Sequence, residues 1–326
     1  MRRFFIVVNN CVLFTLFFCS SIGRSNSFDA YRPSVSPDNK SVIFASAKTG
    51  NGDLYRLDLE SNKVVRLTTG DSFEGWPFCS SDGMNVVFSK GASKESGINL
   101  FWADSELKSS RQVTTGFSYD TAPCISSNGE NIIFGRASKL RGYSMGGKIW
   151  DDWDVYTLNI NGSNLVRVTD QSFRKIETPN FITENKIVFS GRMRVPNSCE
   201  TLYFLNLDSP KRLIAIDITS ATSEVLAVTN FIATQPNVST KAGKIVFVSN
   251  RVSRKDVYDY ELWTMNLDGT MIRRITNIHS YIAFPTFDPS GNRIYFLSDT
   301  SRDKSYDLMS CDVEGKDIVT LYKGIR

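Results

Sequence analysis

The chain has one histidine among 326 residues, no Cys-x-x-Cys pair, and no long apolar run after its opening segment. A single imidazole leaves at most one centre for Ser-His-Asp chemistry and none for a metal held by several histidines. Sialidase-type Ser-x-Asp-x-Gly-x-Thr-Trp boxes are absent, and Gly146-Gly147-Lys148 lacks the rest of a phosphate-loop spacing. Charge of one sign is lacking too. With 38 Lys and Arg against 34 Asp and Glu, the net +4 is spread along the chain, which argues against a nucleic-acid partner. Six cysteines fall to four beyond the leader, Cys79, Cys124, Cys199 and Cys311, and their spacing builds no disulfide framework, so they read as buried free thiols. The sequence alone therefore names no catalytic residue, no metal and no cofactor.

What is present begins with a leader. Arg2 and Arg3 precede a mostly apolar stretch from Phe4 to Phe18, and small residues follow at Ser20, Ser21 and Gly23. Charged start, apolar centre and small-residue end make a secretory signal peptide, assigned to residues 1–27, with the mature chain at 28–326. Asn9 and Asn10 interrupt the apolar run, which argues against a membrane span. Lipidation at Cys19 is the lesser alternative, since Phe18 is bulky where a lipobox has a small residue. The expectation is a periplasmic or secreted protein with no membrane span in its mature form.

The rest repeats. Pro33, Pro77, Pro123, Pro179, Pro236 and Pro285 lie 44, 46, 56, 57 and 49 residues apart. Each opens a short strand, a polar turn follows, and then an Ile/Val-rich strand ending in Phe, as in Val42-Ile43-Phe44, Val86-Val87-Phe88 and Ile132-Ile133-Phe134. Third strands such as Asp53-Leu54-Tyr55 and fourth strands such as Arg66-Leu67-Thr68 complete the unit. Four strands at a period near 50 predict an all-β, six-bladed β-propeller of four-stranded antiparallel blades. Unit four carries one strand too many, with Leu202 to Leu207, Leu213 to Ile218 and Val225 to Val228 all strand-like.

Ser36-Pro37-Asp38, Asn266-Leu267-Asp268-Gly269, Arg274-Ile275-Thr276 and Asp288-Pro289-Ser290-Gly291 together resemble the WD-like PD40 repeat of TolB-type propellers, from Tyr31 to the C-terminus. The same repeat builds the propeller parts of prolyl-oligopeptidase-like peptidases. The resemblance implies a fold far more than a function, because the repeated residues make strands and turns. TolB carries an α/β domain before its propeller, and few residues precede the first unit here, so a propeller-only, monomeric form is expected. There is likewise no room for a hydrolase domain.

In such a ring the second-to-third and fourth-to-first loops share one face, and they are the variable ones. Variable loops on a rigid scaffold are where recognition sits. The longest, Arg136 to Trp153, holds Arg136, Arg141, Tyr143, Trp150, Asp151, Asp152 and Trp153, and aromatic and Arg side chains are favoured anchors. Arg192, Arg194, Arg251 and His279 fall in other loops of that face, where Arg254 and Arg302 and the acids Asp256, Asp259, Asp299 and Asp303 also lie. The expected role is a non-enzymatic scaffold that binds a protein or cell-envelope component there. The alternative is a carbohydrate-active enzyme using carboxylates in the central channel.

Overall fold

A computed structural model describes residues 32–93, 95–142, 147–194, 201–206, 214–215, 232–251, 259–299 and 305–325. The leader, Cys199, Arg254, Arg302, Asp256, Asp303 and the strand expected over Val225 to Val228 lie outside them. Among the described residues there is no helix, hence none long and apolar enough to cross a membrane.

The strands run in repeating order. The first sheet holds β1 (Ser34–Val35), β2 (Ser41–Ser46), β3 (Asp53–Asp58) and β4 (Val64–Arg66). Next come β5 (Phe73–Cys79), β6 (Asn85–Ser93), β7 (Gly97–Asp104) and β8 (Ser110–Gln112), then β9 (Tyr119–Ile125), β10 (Asn131–Gly142), β11 (Lys148–Asn159) and β12 (Val166–Arg167). Three more sheets follow: β13 (Lys175–Thr183), β14 (Lys186–Arg192), β15 (Thr201–Asn206) and β16 (Ile214–Ala215); β17 (Ala233–Ser239), β18 (Lys244–Ser249), β19 (Glu261–Asn266) and β20 (Arg273–Arg274); β21 (Tyr281–Phe287), β22 (Arg293–Asp299), β23 (Tyr306–Asp312) and β24 (Val319–Ile325). All pairs within a unit are antiparallel meanders.

One expectation needs correction. Four sheets stand alone with four strands each, and β5 to β12 form one eight-stranded sheet, so six separate blades are not what the sheet division shows. The join is a single parallel pair, Ile98 opposite Tyr119, where Gly97 packs so close to Ser118 that a side chain would meet its carbonyl oxygen at 3.0 Å.

The apolar triplets of the second strands explain the stacking. Val42, Phe44, Val87, Phe134, Ile187, Phe189, Val246 and Phe296 are almost wholly buried because a neighbouring sheet covers each face. The packing order is circular. Val35, Phe44 and Tyr55 of the first sheet share one core cluster with Leu297, Leu308 and Ile325 of the last, and Phe44 meets Tyr322 at 5.9 Å. The turns are built as their sequence dictates: Asp38, Asp82 and Asn128 each accept from a Ser hydroxyl two residues before and from a backbone N–H two residues after.

The two rims are distinct. On one, Leu59 N–H donates to Lys40 O, Ser105 to Met84 and Ile160 to Glu130, each tying a third-to-fourth turn to a first-to-second turn. On the other, Glu74 N–H donates to Gly52 O, Ile98 to Ser118, and Trp153 pairs with Phe173, so second-to-third and fourth-to-first loops lie together. That second rim is the crown.

Candidate recognition face

A repeated device fixes the crown. A polar or acidic residue of the third strand and a Thr fifteen positions later, after the fourth strand, recur in four units: Asp53 and Thr68, Asn99 and Thr114, Asp154 and Thr169, Glu261 and Thr276. Each Thr hydroxyl accepts from the backbone N–H just inside the third strand, at 2.8 to 3.0 Å. It donates to a carboxylate: Thr169 to Asp154, Thr276 to Glu261, and Thr114 to Asp120, because its own partner is Asn99. Arg66 and Arg167 then neutralise Asp53 and Asp154 at 2.9 and 2.6 Å. Even so, burial outweighs Thr169 and Arg167 and raises the Asp154 carboxyl.

The segment expected as one long loop is mostly strand. The ladder of β10 and β11 runs out to Gly142 opposite Lys148, with Lys139 opposite Asp151. Alternating charge that resembles a solvated loop is here a set of cross-strand pairs. Lys139 bonds Asp152 at 2.6 Å, Arg141 bonds Asp151 at 2.8 Å, and Arg194 from the next sheet bonds both Asp151 and Asp152. The hydrogen bond from Lys139, reinforced by Arg141 and Arg194, outweighs desolvation and holds Asp152 below the usual carboxylate range. Three cations over two carboxylates leave a patch one charge positive. Trp150, opposite Leu140 in the ladder, is 5 % exposed and forms a floor, with Phe117 at 5.0 Å above it and Tyr119 at 6.1 Å. Trp153 packs edge-on to Tyr119 and donates its indole N–H to Trp150 O. The exposed aromatic is therefore Phe117, at 59 %, which no strand or motif signal in the sequence singled out.

The structure thus gathers Arg141, Asp151, Asp152, Arg194, Trp150 and Trp153, and disperses the rest. Arg136 is buried one layer down, where Nε and Nη2 grip Asp120 at 2.6 and 2.7 Å. Arg192 ends β14, half-buried, and Arg251 lies over the Trp263 ring at 5.6 Å. Tyr143 lies outside the described residues. His279 sits in the turn before β21. Gly142-Tyr143-Ser144-Met145-Gly146 spells the Gly-x-Ser-x-Gly string of hydrolase nucleophiles, yet in sequence it falls between β10 and β11, which pair antiparallel, whereas that chemistry needs a strand followed by a helix.

The centre of the ring is closed by another recurrent position. The residue before each repeat proline is Arg32, Trp76, Ala122, Thr178, Gln235 or Phe284, and all six are buried. Five of them take a left-handed backbone, φ 41° to 55°, each at a register shift in the first strand. Trp76 meets Phe284 edge-on at 5.2 Å across the ring. Arg32 reaches Pro123 O and Asn180 Oδ1 at 3.3 and 3.4 Å and lies over Phe78, and burial lowers its guanidinium pKa. No carboxylate occupies this position in any unit.

The TolB beta propeller domain (PD40) family matches over residues 19–149, and the four-stranded units of this chain are similar to that propeller. Among solved structures, TolB from Acinetobacter baumannii superposes with a TM-score of 0.60 at 11 % identity over 96 % of this chain and 67 % of that one. An oligogalacturonate lyase in complex with manganese gives 0.57 at 14 % identity over 90 % and 77 %, and a chain of a nidogen/laminin complex gives 0.59 at 8 % over 87 % and 95 %. Identities this low carry the fold alone. No curated protein matches the sequence.

Proposed function

We propose that this TolB-like propeller is exported by cleavage of residues 1–27 and works as a non-enzymatic scaffold over 28–326. The eight-stranded sheet acts as two blades joined at one bridge, which makes the ring six-bladed. The crown beside the β10–β11 hairpin binds a protein or cell-envelope component. One observation carries the reading: Phe117 stands exposed, at 59 %, on a buried Trp150 floor at the crown. An exposed aromatic anchor on a packed floor is what protein recognition uses.

The manganese-bound lyase among the fold neighbours keeps a carbohydrate-active enzyme in view. One arginine and five apolar or neutral residues hold the axial position, with no carboxylate among them, which argues against channel carboxylates as its machinery, so the binding reading leads. Crosslinking pull-down from cell-envelope extract, read by mass spectrometry, decides. Phe117→Asp is expected to abolish capture of a partner that the unmodified chain retains. Equal capture by both removes the crown hypothesis, and turnover of a glycan panel by the unmodified chain would establish the enzyme instead.

A further inference from the structure

Unit five departs from the repeated device in a way the fold does not need. Its acid is Glu261, 2 % exposed, and Thr276 Oγ1 donates to Glu261 Oε2 at 2.5 Å as the device requires. In units one and three an arginine two residues before the Thr neutralises the acid, Arg66 for Asp53 and Arg167 for Asp154. The equivalent Arg274 makes no such pair, and among the described residues no lysine or arginine bridges Glu261. A buried carboxylate without a counter-charge is costly.

Two further donors converge on it. His279 Nδ1 lies 3.1 Å from Asp259 Oδ2, while the His279 backbone N–H donates to Glu261 Oε1 at 2.9 Å. The other oxygen of Asp259, Oδ1, is buried with no hydrogen-bond partner among the described residues. One donor atom from each of Asp259, Glu261 and His279 lies within 4.8 Å of the other two. Zinc binds imidazole nitrogen and carboxylate oxygen at about 2.0–2.2 Å, so donors around one ion stand roughly 3 to 4 Å apart, and a small side-chain adjustment closes the set.

We infer that Asp259, Glu261 and His279 form a crown site for one divalent transition metal of the zinc type. The orphaned Asp259 oxygen and the missing arginine are both accounted for by a cation between them. Mixed nitrogen and oxygen donors favour such a metal over calcium or magnesium, which take oxygen alone. Thr276 and the His279 N–H supply the outer hydrogen bonds that orient a ligating carboxylate. The imidazole, with its side chain 64 % exposed, leaves open positions for water or for a donor from a bound partner.

The chain's one histidine makes the test direct. On the full chain without a polyhistidine tag, Zn²⁺ is titrated while the single imidazole ¹H–¹³C signal is followed by NMR, alongside calorimetry. One equivalent is expected to bind, to shift that signal, and to weaken about tenfold or more in Asp259→Asn and His279→Ala. An imidazole signal that stays put through the first equivalent overturns the site, whatever the variants do. Binding that is absent, or that both variants retain at full strength, overturns it equally.

Discussion

Replacing Arg136 by Ala tests whether the hairpin root is held by a buried ion pair. Asp120 is wholly buried and the Arg136 side chain is 10 % exposed, and two parallel bonds of 2.6 and 2.7 Å join them. Burial alone would lower the Arg136 pKa, yet the hydrogen bond and charge of Asp120 raise it above its ordinary value. The guanidinium also lies 5.4 and 5.3 Å from the Phe134 and Tyr156 ring centres. Deleting it leaves Asp120 with the Thr114 hydroxyl as its remaining side-chain donor and an uncompensated charge in the core. Breaking one side of such a pair costs about 3–5 kcal/mol. At roughly 2 °C per kcal/mol for a chain of this size, that is about 6–10 °C in Tm.

Urea unfolding of Arg136→Ala, Asp120→Asn and Arg136→Met/Asp120→Asn provides the measurement. The double variant is expected to recover a large part of the single-variant loss, because burying two charges carries its own desolvation cost. Arg136→Lys should fall between, since an ammonium cannot reproduce the two-pronged geometry. An Arg136→Ala loss under about 1 kcal/mol would refute the reasoning, since that is the range of an exposed pair.

Two further outcomes follow from local geometry. Gly315 has φ +79° and a Cβ there would meet Ile275 O at 1.7 Å, whereas Gly116, φ +104°, has nothing within 4 Å, so Gly315→Ala is expected to lower Tm far more than Gly116→Ala; equal losses by differential scanning calorimetry would show that backbone strain alone decides. The Asp104 carboxyl is held at about 2 by the Ser109 hydroxyl and N–H and the Lys108 and Glu106 N–H groups, so its contribution is present above its ordinary pKa of 3.8 and lost as pH falls through 2; Asp104→Asn should flatten that acid limb of a stability–pH curve and leave the neutral region little changed in slope.

The repeat was legible because prolines at strand starts and Asp/Asn turns are local signals that survive in any fold context. Two-sided burial of Val86 to Phe88 or Ile132 to Phe134 was legible for the same reason. The merged sheet was not: a single backbone pair, Ile98 with Tyr119, has no side-chain signature. Nor was the axis. Trp76, Gln235 and Phe284 in a left-handed conformation before proline run against local preference, and only the crowded ring centre holds them there. The hairpin of β10 and β11 was misread because glycine and alternating charge suggest a loop, while the cross-strand pairing of Lys139 and Arg141 with Asp151 and Asp152 is a tertiary fact.

One register was in the sequence and carries the crown's chemistry. Three residues after each device Thr the chain presents Asp71, Phe117, Ser172 and His279. Ser172 and His279 share a left-handed backbone, φ 50° and 56°, and each turns its N–H onto the third-strand acid of its own unit. The Thr, the acid and that N–H fix where the turn residue sits without using its side chain. Four units therefore carry four different groups at one sequence register, a carboxylate, a benzyl ring, a hydroxyl and an imidazole, and two of the four share its backbone geometry. The exposed aromatic and the proposed metal-binding imidazole fall at the same sequence register in different units, which separates what a substitution there can do from what Arg136→Ala does. A change at Phe117 or at the His279 imidazole alters what the crown binds, while the device beneath keeps the ring standing.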